Sequence, residues 1–288
     1  MTERYRDIKQ KLCKYAEQDK DMKAVIAIGS STRSEVPADD FSDLDLIIVT
    51  SAPDRWYSGE YPALLGNVSI SFIEPTLGGG KERRCIYDED RDVDMIIFTP
   101  LQFENALKEG VAEWVMNRGW ILLYDGGGYA EMIPQFVKLE VHHAVMTKEE
   151  YENTVNDFFF HNIWAFKKLR RGELWSAKMC IDCYLKERLL KMIGQYQLCF
   201  GDTDIWHDGR FLDRWADSSI LDDLKDCFAH YDNDDCRCAL LSTYKLFARL
   251  ARTVAANRGL PYPEKAEACA MSYMTGTINK EMELWKES

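Results

Sequence analysis

Apolar positions recur along this chain with two different periods, and the period changes once. Up to about residue 125 the dominant signal is short, β-branched runs bounded by turn residues, the pattern of buried strands. Residues 25–28 and 46–49 form the cores of two such strands, expected at 22–28 and 44–50. Residues 67–73 alternate, with Val68, Ile70 and Phe72 set against Ser69 and Ser71, which predicts a half-buried strand. Two more strands, 84–88 and 93–98, flank a charged turn at 89–92, and 120–124 predicts a last short one. Helical spacing is confined here to residues 2–19 (Tyr5, Ile8, Leu12, Tyr15), a turn within 52–57, and a helix from Pro100 to Lys108.

After Gly126-Gly127-Gly128 the character changes. A connecting segment leads to the capping pattern Thr147-Lys-Glu-Glu150, and from there onward the chain reads as helix rich in Leu, Phe, Trp and Tyr. The expected fold class is therefore α+β: a mixed sheet with flanking helices over residues 1–135, then an all-α bundle over 136–288, the boundary falling within 126–146.

The polar positions that interrupt this pattern carry the candidate chemistry. Residues 26–49, IAIGSSTRSEVPADDFSDLDLIIV, run from one strand through Gly29-Ser30 and a polar loop into Asp43-Leu-Asp45 and a second strand. Side chains two apart on a strand share a face, so Asp43 and Asp45 project together with Cα atoms roughly 6.6 Å apart. Paired carboxylates raise each other's pKa unless a cation lies between them, and magnesium, a hard ion that leaves room for substrate phosphates, suits that position. Glycine permits close backbone approach, amides at such a turn favour phosphate oxygens, and the Ser30 hydroxyl adds a donor. The strand RDVDMIIF offers a third carboxylate, Asp92 or Asp94, and spacing does not choose between them. Three carboxylates around metals roughly 3.5–4 Å apart are the requirement of a two-metal site. The glycine-rich run at 76–81 lacks the GxxxxGK[ST] order and is expected to be a flexible loop.

Composition narrows the partners. With 288 residues and a net charge of −12, the chain has material for a sizeable core but no basic surface for a polynucleotide, and its field favours a small cationic partner. No apolar run approaches the length of a membrane span, and the charged start MTERYRDIKQKL is not a signal peptide. Nine cysteines without secretion signals are expected to be reduced thiols in a cytoplasm.

The order GS, polar loop, DxD, then a later strand with a single Asp resembles the polymerase-β-type nucleotidyltransferases. More closely, the chain is similar to the aminoglycoside 6-adenylyltransferases, the streptomycin-modifying enzymes. The likeness runs through AEQDK at 16–20, VPADDF leading into SDLDL, GN at 66–67, DVDMIIFTPLQFENAL, NDFFFHNIWAFKKLRRGEL and RLLKMIG at 188–194. It implies ATP as co-substrate, Mg2+ as cofactor, a small cationic acceptor, Asp43, Asp45 and Asp94 as metal-binding carboxylates, and Gly29 and Ser30 at the triphosphate. It selects Asp94 over Asp92. The family typically reads GSRA; here the order is Gly-Ser-Ser-Thr-Arg, so the arginine is Arg33, two positions later, as the candidate phosphate contact.

Other residue groups are expected to be structural. Cys180-x-x-Cys183 and Cys236-x-Cys238 lack partner pairs at zinc spacing. The Phe158, Phe159, Phe160, Trp164, Phe166 stripe reads as core, His161 as a packed histidine, and Lys167, Lys168, Arg170, Arg171 and Lys178 as a solvated basic face. Glu149, Glu150, Asp157 and Glu173 are candidates for the acceptor's cationic groups. The alternatives to antibiotic adenylylation are the same transfer to another small molecule or a protein hydroxyl, and a nucleotide-binding module without catalysis. The oligomeric state is not legible.

Overall fold

The computed structural model describes residues 3–287, with side chains from residue 4 to residue 275; position 2 of the expected first helix and the last position of the expected helical run lie outside them. The chain divides into two compact units, Met1–His142 and His143–Ser288.

The first unit is built on one sheet. Its strands are β1 (Met22–Ile28), β2 (Leu44–Thr50), β3 (Val68–Pro75), β4 (Lys81–Tyr87), β5 (Arg91–Phe98) and β6 (Ile121–Asp125), in the order β3-β4-β5-β2-β1-β6. The β2–β5 pair is parallel and the other pairs are antiparallel. Helices cover both faces of the central strands, which is why β1 and β2 read as continuous apolar runs. On one face Val25, Leu46, Ile48 and Met95 meet Ile8 and Leu12 of the helix Arg6–Gln18 and the buried Trp56. On the other, Ile26, Ile47 and Val49 meet Phe103 of the helix Pro100–Lys108, Met116 and Tyr129.

The second unit is helical. Its long helices Lys148–Arg170 and Asn233–Arg258 are joined by stacked Phe158 and Phe247 rings, 3.6 Å between centroids, and by Tyr151 Oη donating to the Ala251 carbonyl at 2.7 Å. Thr147 and Glu150 form a reciprocal capping box at the first of these. A π-helical turn, Cys180–Tyr184, precedes the helix Leu185–Gln197; the Lys186 ammonium donates to the carbonyl of Ile181 in that turn at 3.0 Å and to Thr243 Oγ1 at 2.9 Å.

Three expectations need correction. The run at 67–73 is not half-buried: β3 is the sheet edge, and Ile70 and Phe72 are 61% and 50% exposed. The loop expected at 76–81 ends one residue sooner, with a glycine turn, Leu77–Gly79, inside it and β4 starting at Lys81. The helical half is interrupted between 198 and 232, where Asp208, Gly209 and Phe211 adopt positive φ and only short helical turns form. Left-handed residues break the helical hydrogen-bond ladder, and the buried Trp206 and Trp215 hold the segment down instead. Periodicity also gives no sign of the short helices Val111–Met116 and Tyr129–Met132.

Candidate active site

The site forms where the C-terminal end of β1 meets the start of β2 and β5. Asp45 lies on the face opposite Leu44 and Leu46, and Asp94 on the face opposite Val93 and Met95, because β-strand side chains alternate. The parallel register places Asp45 directly opposite Asp94. Asp43, just before β2, completes a cluster in which one carboxylate oxygen from each of Asp43, Asp45 and Asp94 lies within 4.8 Å of the others. Asp92 is outside that group, two residues back along β5.

Burial and crowding act together on Asp94. It is 6% exposed, and burial, opposed by Arg84 and reinforced by Glu82, Asp45 and Asp92, pushes its pKa up to about 8. Burial, then the Asp43 charge, raises Asp92 as well. Asp94 Oδ1 is buried and makes no hydrogen bond among the described residues. Hard oxygen donors converging with an orphaned carboxylate oxygen fit a divalent cation of the magnesium type.

The serine turn abuts this cluster. Gly29–Ser31 is a single 3-10 turn following β1, with Gly29 at φ +68°. A Cβ on Gly29 would lie 2.0 Å from Asp45 Oδ2, so glycine is required here by the carboxylate itself. Ser30 is buried, and its Oγ has no hydrogen-bond partner among the described residues, an expense that a ligand oxygen would recover. Thr32 fixes the turn: its Oγ1 donates to the Gly29 carbonyl at 3.0 Å or the Gly119 carbonyl at 2.9 Å. Gly119, at φ +140°, is itself required, since a Cβ there would meet the Thr32 carbonyl at 2.5 Å. Arg33 donates through Nε to the Val36 carbonyl at 2.8 Å, within its own loop. That loop returns to β2 through Asp39, whose side chain accepts from Ser42 Oγ and the Phe41 amide, and leaves Phe41 98% exposed.

One feature of the site is absent from the expectations above. Arg84 on β4 faces Asp94 across the antiparallel pair, its Nε 3.5 Å from Asp94 Oδ2. Glu74 of β3 (2.8 Å) and Glu82 of β4 (3.1 Å) hold the same guanidinium. The signal was available: in KERRCIY, Glu82 and Arg84 alternate onto one face.

The remaining candidates lie in the second unit. Glu150 is committed to its capping box, and Glu173 pairs with Lys168 at 2.5 Å and Arg171 at 2.9 Å. Asp157 accepts from Arg188 Nε at 2.8 Å and Tyr184 Oη at 2.9 Å and lies 2.8 Å from His161 Nδ1. Glu149 is exposed in the first turn of its helix, and Arg170 is exposed at the end of the same helix. Lys178 bonds Asp182 and the Ala229 carbonyl, and the Lys167 ammonium lies over the Tyr273 ring. Phe158, Phe159 and Phe166 are core, whereas Phe160 is 64% exposed. All nine cysteines are free thiols, and among the described residues no cysteine–histidine cluster of metal-binding geometry forms.

A buried serine set against three carboxylates, two on the adjacent strands β2 and β5 and one just before β2, suits a nucleotidyltransferase. The chain belongs to the streptomycin adenylyltransferase family, whose model matches residues 2–277. An aminoglycoside 6-adenylyltransferase of Bacillus subtilis (strain 168) is 18% identical over 270 residues, covering 88% of this chain and 90% of that protein. Among solved structures, an aminoglycoside 6-adenyltransferase from Bacillus subtilis aligns over 96% of this chain and 98% of its own at 14% identity, with a TM-score of 0.42. A nucleotidyltransferase-like protein from Exiguobacterium sibiricum 255-15 aligns over 88% and 77% at 10% identity, with a TM-score of 0.32. Among the described residues no helix is long and apolar enough to cross a membrane.

Proposed function

We propose that this enzyme transfers AMP from ATP to a hydroxyl of a streptomycin-type aminoglycoside in the cytoplasm. The acceptor oxygen forms a bond to the α-phosphorus, the bond from that phosphorus to the bridging oxygen of the β-phosphate breaks, and pyrophosphate leaves. The observation that carries this reading is the cluster of Asp43, Asp45 and Asp94 against a serine hydroxyl that has no hydrogen-bond partner among the described residues.

Asp43, Asp45 and Asp94 would hold Mg2+, at two positions if the mechanism is the two-metal one. Bound there, the cation supplies charge neutralisation for the triphosphate and acidifies the acceptor hydroxyl. Asp94 also accepts the hydroxyl proton. The Gly29–Ser31 turn receives the triphosphate, Ser30 Oγ donating to a phosphate oxygen, and the rigid β1–β2–β5 frame keeps these groups in place. The net charge of −12 supports a cationic acceptor by raising its concentration near the surface. Arg33, turned onto the Val36 carbonyl, favours a second reading in which the same transfer serves a different acceptor.

Labelled ATP with magnesium and a panel of aminoglycosides distinguishes the readings. Labelled streptomycin with stoichiometric pyrophosphate supports the first. Pyrophosphate release only with another acceptor supports the second, and no transfer to any acceptor overturns both. Asp94→Asn is expected to lower turnover by about a thousandfold while ATP still binds, measured by single-turnover kinetics beside equilibrium nucleotide binding.

A further inference from the structure

Arg84 is a cation already installed beside the carboxylate cluster. It is opposite Asp94 in the β4–β5 register, and its Nε lies 3.5 Å from Asp94 Oδ2. Two further carboxylates grip it: Glu74 Oε1 at 2.8 Å from Nε, and Glu82 Oε1 at 3.1 Å from Nη2. Glu82 is largely buried and Glu74 half-exposed, so the guanidinium is restrained on the side away from Asp45. The guanidinium is thus engaged in ion pairs with strand carboxylates through Nε and Nη2, while its side chain keeps 41% of its surface exposed.

From this geometry we infer that Arg84 is the built-in counter-cation of the site, holding Asp94 in place in the metal-free protein and setting the affinity for the divalent ion. The inference rests on the assignment of Asp43, Asp45 and Asp94 as metal ligands. Two effects follow from one charge. Without metal, Arg84 offsets the charge of Glu74 and Glu82 and, once Asp94 has lost its proton, the repulsion between Asp94 and its neighbouring carboxylates, and so stabilises the folded chain. With metal, the same positive charge opposes the incoming cation and competes for Asp94, so affinity is held below what three acidic ligands would otherwise give. Arg84 is a positioning residue, acting through Asp94.

The test is Mn2+ titrated into EDTA-stripped protein, with free ion read from its EPR signal, for the wild type, Arg84→Gln and Arg84→Lys. Arg84→Gln is expected to bind Mn2+ about tenfold more tightly, the size expected for removing one unit charge near a divalent ion in a water-exposed site. It is also expected to melt at a lower temperature when stripped and to regain the difference when Mn2+ is added. Arg84→Lys, which keeps the charge, is expected to bind as the wild type does. Arg84→Met, which keeps the aliphatic stem, repeats the comparison if the glutamine variant does not fold. Affinity in the neutral variants equal to or weaker than that of the wild type overturns the inference alone, as does a lysine variant that behaves like the glutamine one. A wild type that binds no Mn2+ overturns the metal-site assignment and this inference with it. A purely structural arginine would lower the melting temperature in every variant and leave Mn2+ affinity unmoved.

Discussion

At Asp94 the folded chain holds a proton that the unfolded chain releases. Its pKa stands at about 8, raised chiefly by burial, whereas an unfolded aspartate titrates in the ordinary carboxylate range. Between those values the folded state binds more protons, so the metal-free protein loses stability as pH rises from about 4 to about 8. The loss is on the order of a few kcal/mol. Urea melts in EDTA at pH 5 and pH 9 are expected to show it, and Asp94→Asn is expected to flatten the difference. Gly29 makes the second prediction at this scale. Its positive φ and the 2.0 Å approach of Asp45 Oδ2 to a notional Cβ leave no room for a side chain. Gly29→Ala is expected to cost about 1–3 kcal/mol in denaturant unfolding and to displace Asp45, abolishing transfer. Period-two spacing suffices to put Asp43 with Asp45 on one face. It does not separate Asp92 from Asp94, because that depends on which residue of β5 stands opposite Asp45, a register between strands distant in sequence. The sequence offers Ser30 as a candidate phosphate donor, but its burial, and an Oγ without a hydrogen-bond partner among the described residues, depend on how the turn packs and are not legible in it.

Among the elements, those buried on two faces were the legible ones. β1 and β2 end where their apolar runs end, at residues 22–28 and 44–50, and the helix Pro100–Lys108 is marked by Pro at its start and a Thr99–Gln102 capping box. β3 misleads because its alternation is real but one side of it meets no core: it is an edge strand with Phe72 half in solvent. Burial against exposure gives a direct check. Phe72→Ser is expected to cost only about 1 kcal/mol of unfolding free energy, whereas Phe103→Ala, in the fully buried layer, is expected to cost about 3–5 kcal/mol by the same chemical denaturation. The break in the helical unit at 198–232 was hidden for the opposite reason. Its residues include good helix formers, and the positive φ at Asp208 and Phe211 occurs beside the buried Trp206 and Trp215, a tertiary setting that local propensity does not report.

Over the whole molecule the relevant quantity is charge. An excess of 48 acidic over 36 basic residues gives the net −12 and an attractive field for a polycationic acceptor. For such an acceptor kcat/KM is expected to fall as potassium chloride is raised from about 20 to 300 mM, while kcat changes little, because screening shortens the reach of the field to roughly a Debye length. Initial rates across a salt series check this, and a salt-independent kcat/KM would point to an uncharged acceptor. The carboxylates stand at the ends of the most buried strands of the first unit, whereas Arg33 and Phe41 ride on an irregular surface loop. Replacement of the exposed Phe41 is therefore expected to leave the strands that carry the carboxylates undisturbed.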